Sequence, residues 1–314
     1  MSVVAGIDIG GTTTAIGLVD KKNTVVAETV IPTLSTEGFE PFYRRLIDAV
    51  NELLAKQPKS TLQAVGVGAP NANYYTGCVE HPPNLNWGAS TPLQQLLFTS
   101  FKVPVVLIND ATAAAAGELY LGKGIGLQDF VLVTLGTGLG AGIVANGSIV
   151  HGMRGMAGEL GHTMVNPNGR FCGCGRRGCL ETYVSATGIR RTVYKLLADY
   201  TTDSPLRNIP YSDLEASVIS KYASNGDSLA LEAFDYTGRI LGTKLADAAA
   251  ILGTEKIFLF GGLVFSGELL LAPTRHYLEQ NLSPLFKGKV SIEISGLQGK
   301  NAAVLGLASL AMKQ

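Results

Sequence analysis

The sequence predicts an α/β protein built as two related lobes, and three observations predict it. From Val3 to Leu119 apolar runs of period two alternate with helical runs in the order β-β-β-α-β-α-β-α, the pattern of a mixed sheet with helices on its faces. After the glycine-rich stretch Gly122-Lys-Gly124-Ile-Gly126, which reads as a hinge or boundary, strands begin again. At one constant offset, Gly11, Thr12, Gly17, Leu18 and Val19 fall on Gly136, Thr137, Gly142, Ile143 and Val144. Each copy is a strand, a Gly/Thr turn and a returning strand, which suggests two related lobes facing a cleft.

Strands are expected at Val3 to Ile9, Ala15 to Asp20 and Val25 to Ile31, joined by turns at Gly10-Gly11 and Lys21-Lys22-Asn23. A helix from Phe39 to Lys56, a strand at Gln63 to Gly68, a short helix at Thr91 to Thr99 and a strand at Val103 to Ile108 follow. The alanine-rich run Ala111 to Leu119 favours helix, because alanine loses no side-chain entropy there. Beyond the boundary, Phe130 to Leu135, Ala141 to Ala145 and Ser148 to Val150 read as strands. Helices are expected at Ser185 to Asp199, Asp213 to Ala223 and Asp227 to Leu252, with Thr201 to Pro210 as a polar loop. A strand at Lys256 to Phe260, a helix near Glu268 to Glu279, a strand at Val290 to Ile294 and a terminal helix from Asn301 complete the order.

Twenty-five basic and twenty-five acidic side chains cancel over 314 residues, and no block of like charge occurs. That balance makes nucleic acid and anionic membranes poor partners. The uncharged run Phe130 to Val150 is interrupted by glycines and by the Asn146-Gly147 turn signal, so a buried strand, loop and hairpin fit it better than a membrane helix. The opening residues carry Asp8 early and no basic region, unlike a secretory signal. A cytoplasmic location is expected, where clustered cysteines favour metal over disulfides.

Three of the four cysteines stand in Cys172-Gly-Cys174-Gly-Arg-Arg-Gly-Cys179-Leu-Glu181, with His162 upstream in Gly158-Glu159-Leu-Gly-His162. A Cys₃His set with glycines between the thiols suits one tetrahedral Zn²⁺. Glu159 and Glu181 flank the set, so the metal is expected to shape a polar site. Gly10-Gly11-Thr12-Thr13-Thr14 places small residues in a turn whose N–H groups and hydroxyls can reach phosphate oxygens, and Gly136-Thr137-Gly138 offers the same in the second copy. Either turn alone is an ordinary hairpin; two in matching contexts, with Asp8 beside the first, point to a nucleotide. Gly136-Thr-Gly138-Leu-Gly-Ala141 formally matches a dinucleotide fingerprint, but the following hairpin signal makes the next segment a strand, so the match is incidental.

With Asp8-Ile-Gly-Gly-Thr12, Asn109-Asp110, Gly158-Glu159-Leu-Gly-His162 and the cysteine run in this order, the chain resembles the ROK family of bacterial sugar kinases and sugar-responsive repressors, nearest its glucokinase branch. The resemblance implies an actin-like (ribonuclease H-like) two-lobed fold with sugar deep in the cleft and ATP above it. The expected lobes are 1–121 with 298–314, carrying the first phosphate turn and the catalytic Asp, and 122–297, carrying the second turn and the zinc segment. By resemblance Asp110 is the catalytic base. Asn84, Asn109, Glu159, His162 and Glu181 hold sugar hydroxyls, Gly261-Gly262 lies near the adenosine, and Asp8 holds Mg²⁺ through water. The zinc then orients a substrate ligand and does not activate water. The resemblance also implies ATP as donor, a role in carbohydrate metabolism and a homodimer.

The chemistry of the residue types agrees, since a hydroxyl attacking a γ-phosphoryl group needs a carboxylate to take its proton. Position alone also suits Asp110 to cap the helix from Ala111, and Asn84 in Pro82-Pro83-Asn84 to a turn. Glu159 and Glu181 have the ordinary alternatives of a solvated acid and an early-turn acid. Cys78, His81, His151 and His276 are expected to be structural. Two departures from the family pattern stand out: Thr13 where many members have Lys, and Asn71 where a glycine often follows Gly68-Ala-Pro70. The expected activity is phosphorylation of a hexose 6-hydroxyl, glucose first, with N-acetylglucosamine or N-acetylmannosamine as alternative acceptors. A sugar-binding regulator is the other class; its DNA-binding domain would precede the Asp-x-Gly-Gly-Thr motif, where Asp8 leaves no room.

Overall fold

The computed structural model describes residues 1–82, 84–297 and 302–313. Asn301, where the terminal helix is expected to begin, lies outside them. The chain divides into two compact units, residues 1–128 with 142–158 and 296–314, and residues 129–141 with 159–295. This differs from the expected division chiefly in giving 142–158 to the first unit.

In the first unit, β1 (Ser2–Ile9), β2 (Thr13–Asp20) and β3 (Val25–Pro32) form an antiparallel meander, followed by α1 (Phe39–Ala55) and β4 (Thr61–Gly68). Three short strands that the sequence reading lacks, β5 (Ala72–Asn73), β6 (Cys78–Glu80) and β7 (Ser90–Thr91), make a small separate sheet. Then come α2 (Leu93–Phe101), β8 (Val105–Ile108) and α3 (Asp110–Leu121). The first sheet has the order β3-β2-β1-β4-β8, with β1, β4 and β8 parallel. Because Ser90 and Thr91 pair with β6, α2 starts at Leu93 and not at Thr91, and β8 starts only after Pro104.

In the second unit, β9 (Phe130–Leu135) leads into β10 (Leu139–Ala145), along which the chain passes back to the first unit. There the end of β10 pairs with β11 (Ser148–Ile149). The run Phe130 to Val150 is thus strand, turn and hairpin as expected. No helix among the described residues is long and apolar enough to cross a membrane. Helices α4 (Ala186–Asp199), α5 (Ala216–Ser224) and α6 (Ser228–Leu252) follow, then β12 (Lys256–Phe260), α7 (Glu268–Asn281) and β13 (Ser291–Ile294). Strands β9, β12 and β13 are parallel neighbours. Helix α5 begins at Ala216 and not at Asp213, because Tyr211–Asp213 forms its own 3-10 turn. Ser185 and Asp227 cap α4 and α6 by accepting from the N–H groups of Gly188 and Ala230.

The last helix, α8 (Ala302–Met312), belongs to the first unit and lies directly on its sheet. A Cβ on Gly6 would come within 2.1 Å of the Val304 carbonyl oxygen, and one on Gly66 within 2.1 Å of the Leu307 carbonyl oxygen. Only glycine admits so close an approach of helix backbone to strand. Alternation along β1 sends Val3, Ala5, Ile7 and Ile9 into a core with Phe42, Leu46 and Leu97, and sends Val4 to the opposite core with Ala113, Val304 and Leu307. Gly6 and Asp8 share the Val4 face, which is the side that carries α3 and α8.

Candidate active site

In the first unit the parallel strands bring the predicted acidic residues together. Pairing sets Asp8 level with Gly68, and Gly68 level with Ile108, so Asn109 and Asp110 emerge at the same carboxyl edge as Asp8. Such edges are where open α/β sheets present ligand-binding groups. Burial, and then the like charge of Asp110, push the Asp8 carboxyl up to about 6. Asp110 is also raised by burial, an effect partly offset by the Ala111 N–H, which donates to its Oδ1 at 2.8 Å. Asp110 keeps solvent-accessible surface while protein fills most of the volume around it, so its charge is poorly solvated and still reachable.

The cap of α3 is Asn109, whose Oδ1 accepts from the Ala111 N–H at 2.9 Å, while Asp110 is the first helical residue. This corrects the alternative of Asp110 as the capping residue. With Oδ1 engaged, the NH₂ end of Asn109 is what it can offer a ligand.

The first glycine turn lies beside this pair. Gly10 N–H donates to the Thr13 carbonyl at 2.9 Å, the Thr33 hydroxyl donates to the Gly10 carbonyl at 2.8 Å, and Thr33 N–H donates to the Thr12 carbonyl at 2.8 Å. Buried Thr14 faces Thr33 with hydroxyls 3.0 Å apart, which leaves Thr12 and Thr13 exposed on the turn. A Cβ on Gly11 would sit 3.1 Å from the Asn84 Cβ, and Asn84 lines an open groove with Ser35, Thr36, Leu85 and Asn86. Asn71 takes a left-handed φ of 54°, a conformation glycine adopts freely and asparagine tolerates, and its Nδ2 donates to the His81 carbonyl at 2.9 Å. The loop therefore keeps a glycine-like backbone despite the departure. His151 stacks on Tyr74 at 3.8 Å, in keeping with a structural role.

In the second unit the predicted metal set is assembled. One ligand atom from each of His162, Cys172, Cys174 and Cys179 lies within 4.8 Å of all the others. Cys174 and Cys179 sulfurs are 3.6 Å apart, and Cys172 Sγ is 3.7 Å from His162 Nδ1. Tetrahedral zinc with bonds of about 2.3 Å separates its sulfurs by about 3.8 Å, so the set fits the ion. Burial pushes the Cys172 thiol up to about 12, and a bound dication would make all three sulfurs thiolates. On the far side of the ring, His162 Nε2 is 3.7 Å from a Glu159 carboxylate oxygen, the kind of carboxylate partner that orients a metal-bound imidazole. Arg170, which sequence reasoning passed over, ties the knot to α4. Its guanidinium donates to the carbonyls of Thr182 and Gly188 at 2.7 and 3.0 Å and to the Thr192 hydroxyl at 2.9 Å, and it lies over the Tyr183 ring. An isolated arginine before the cysteine run carries no local signal of that role.

The second glycine turn joins the ends of β9 and β10, with Gly136 N–H donating to the Gly138 carbonyl at 3.0 Å. It opens into strand β10, which rules out the dinucleotide reading. Phe260 of β12 pairs with Thr134 of β9, so Gly261-Gly262 leaves its strand beside this turn. At a φ of 108°, Gly261 packs so closely that a Cβ would lie 2.7 Å from the Leu135 carbonyl oxygen. Glu181 reaches the turn as well, its Oε2 accepting from Leu139 N–H at 3.1 Å.

Parallel strands that end in glycine turns, an acidic pair at one strand edge and a Cys₃His set able to hold a metal fit the class of actin-like sugar kinases and their relatives. The chain belongs to the ROK family, whose model matches residues 4–314. It is 37% identical to a glucokinase of Halalkalibacterium halodurans over 96% of this chain and 92% of the relative. It superposes with a TM-score of 0.82, at 31% identity, on a ROK family glucokinase from Streptomyces griseus in complex with glucose and AMPPNP, covering 99% of this chain and 100% of the other. The family also holds regulators: the chain is 29% identical to the DNA-binding transcriptional dual regulator NagC of Escherichia coli over 95% of this chain and 72% of that protein.

Cys174→Ser is expected to lose the metal and melt at lower temperature, checked by elemental analysis and thermal denaturation of protein purified without chelator. Asp8→Asn tests the acidic pair. A folded-state pKa raised to about 6 means that stability present at low pH is lost as pH rises from the ordinary carboxylate range through about 6. The variant should therefore be more stable than the parent at pH 8, by about 1–3 kcal/mol, and nearly equal to it at pH 4.

Proposed function

We propose that the protein transfers the γ-phosphoryl group of ATP to the 6-hydroxyl of a hexose, glucose foremost, giving glucose 6-phosphate and ADP. The observation that carries this reading is the acidic pair Asp8 and Asp110 at one strand edge, beside a braced glycine turn, in a chain whose glucokinase relatives match it nearly end to end. Asp110 takes the proton of the 6-hydroxyl as that oxygen attacks the γ-phosphorus; the new O–P bond forms, the bond to the β–γ bridging oxygen breaks, and ADP departs. A carboxylate whose pKa is raised by burial is a stronger base than one in water.

Asn84, Asn109, Glu159, His162 and Glu181 hold sugar hydroxyls in this reading. Gly10, Gly11, Thr12 and Thr13, with Gly136, Thr137 and Gly138, bind phosphate, and Gly261 and Gly262 border the adenosine. Asp8 holds Mg²⁺ through water, and the bound ion supplies charge neutralisation for the phosphates. A dication next to Asp8 would also offset the burial and the repulsion by Asp110 that lift its pKa. Zinc on His162, Cys172, Cys174 and Cys179 fixes the imidazole that meets the sugar. A cytoplasmic homodimer belongs to the same reading and rests on family membership.

Asp110→Asn keeps the shape and leaves the Asn109 cap in place, so folding should persist while kcat falls by roughly 10²–10⁴. In the parent, kcat/KM should fall as pH drops below about 6, where Asp8 takes up a proton. Near-normal turnover of the variant in a coupled ADP-release assay would reject Asp110 as the base.

The acceptor is tested separately. A site built around a C2 hydroxyl leaves buried polar groups unpaired with an analogue that lacks it, and an acetamido group needs added room. The ratio of kcat/KM for glucose over N-acetylglucosamine is expected to be well above one. A ratio below one assigns the protein to the N-acetylhexosamine kinases and leaves the base and the metal set as they are.

A further inference from the structure

Glu181 follows the last zinc ligand by two residues, on the 3-10 turn Leu180–Thr182, and its carboxylate is divided between two neighbours. Oε2 accepts from Leu139 N–H at 3.1 Å, directly after the Gly136–Gly138 turn, while Oε1 lies 3.8 Å from Cys172 Sγ in the metal set. The same short segment grips the turn at its other end. The Ser185 hydroxyl donates to the Glu181 carbonyl at 2.8 Å, and Ala186 N–H donates to the Gly136 carbonyl at 2.9 Å. The seat for the carboxylate exists because residue 138 has no side chain: a Cβ on Gly138 would stand 2.4 Å from Glu181 Oε2.

We propose that Glu181 is the positioning residue of the Gly136–Gly138 turn, so that the zinc knot sets nucleotide affinity as well as the sugar site. This rests on the reading of that turn as a nucleotide-phosphate loop. One carboxylate oxygen is committed to the turn and the other faces Cys172 Sγ in the metal set. A single rigid side chain, anchored two residues from a metal ligand, thus links the two substrate sites within one unit. Gly138 and Glu181 form a matched pair in which a larger residue at 138 expels the carboxylate, and a shorter residue at 181 makes room for the Cβ.

The test is a double-mutant cycle read by calorimetric binding of MgADP in the absence of sugar, with zinc content and melting temperature measured on each protein. Glu181→Ala and Gly138→Ala should each weaken MgADP binding roughly tenfold, the scale of one lost hydrogen bond to a charged group. The double variant should bind no more weakly than Glu181→Ala alone. Glu181→Gln, whose amide oxygen still accepts from Leu139 N–H, should retain most of the parent affinity and all of the zinc. Gly138→Ala lies outside the knot, so it reports even if Glu181→Ala loses metal. Additive losses in the double variant, or an affinity loss in Glu181→Gln equal to that in Glu181→Ala, would overturn the positioning role while keeping the turn as a nucleotide loop. Unchanged MgADP binding in both single variants would overturn the phosphate-loop reading and the inference with it.

Discussion

The first unit is organised around an electrostatic cost, two carboxylates of like charge held at one sheet edge where protein displaces most of the water. Parallel pairing of β1, β4 and β8 makes that placement unavoidable once Asp8 ends one strand and Asp110 follows another. The fold offsets the cost only in part, with the N-terminus of α3 and the Ala111 N–H favouring the ionised form of Asp110. The remainder is a standing preference for protons or a cation. A site that transfers phosphoryl groups can use both, the first as a base and the second as a metal anchor. Close packing keeps the edge rigid, since α8 rests its backbone on Gly6 and Gly66.

The second unit solves a different problem. The chain from Glu159 to Ser185 contains only short 3-10 turns and two isolated antiparallel bridges, Met164 with Cys179 and Phe171 with Arg177, and so has no extended ladder of the kind that orders a helix or strand. Four converging residues able to ligate a metal and the Arg170 guanidinium stand in for such a ladder. Order then passes from the knot through Glu181, Ser185 and Ala186 into the glycine turn. A metal held there would contribute through position.

Most regular elements were legible because burial on a sheet or helix face imposes a period on the sequence, and the strands of both sheets were read within a few residues of their ends. The two- and three-residue strands β5, β6 and β7 were not, since segments so short leave no period to detect. Asn109 took the cap expected of Asp110 because both residue types suit that position, and backbone geometry decided between them. The metal set was readable from residue type and spacing. The contacts of Glu181 with Leu139 and of Arg170 with Thr182 and Gly188 were not, because they join segments whose separation in sequence says nothing about their meeting. Asn71 looked like a defect in a glycine position and proved to preserve the left-handed backbone that the position requires.

The central claim is that this arrangement makes a sugar 6-phosphotransferase. Its most direct measurement is phosphorus and carbon NMR of the products formed from MgATP and glucose. Glucose 6-phosphate and ADP are expected in equal amounts, with no other sugar ester. ADP and free phosphate without a sugar ester, or phosphate on another hydroxyl, would contradict it.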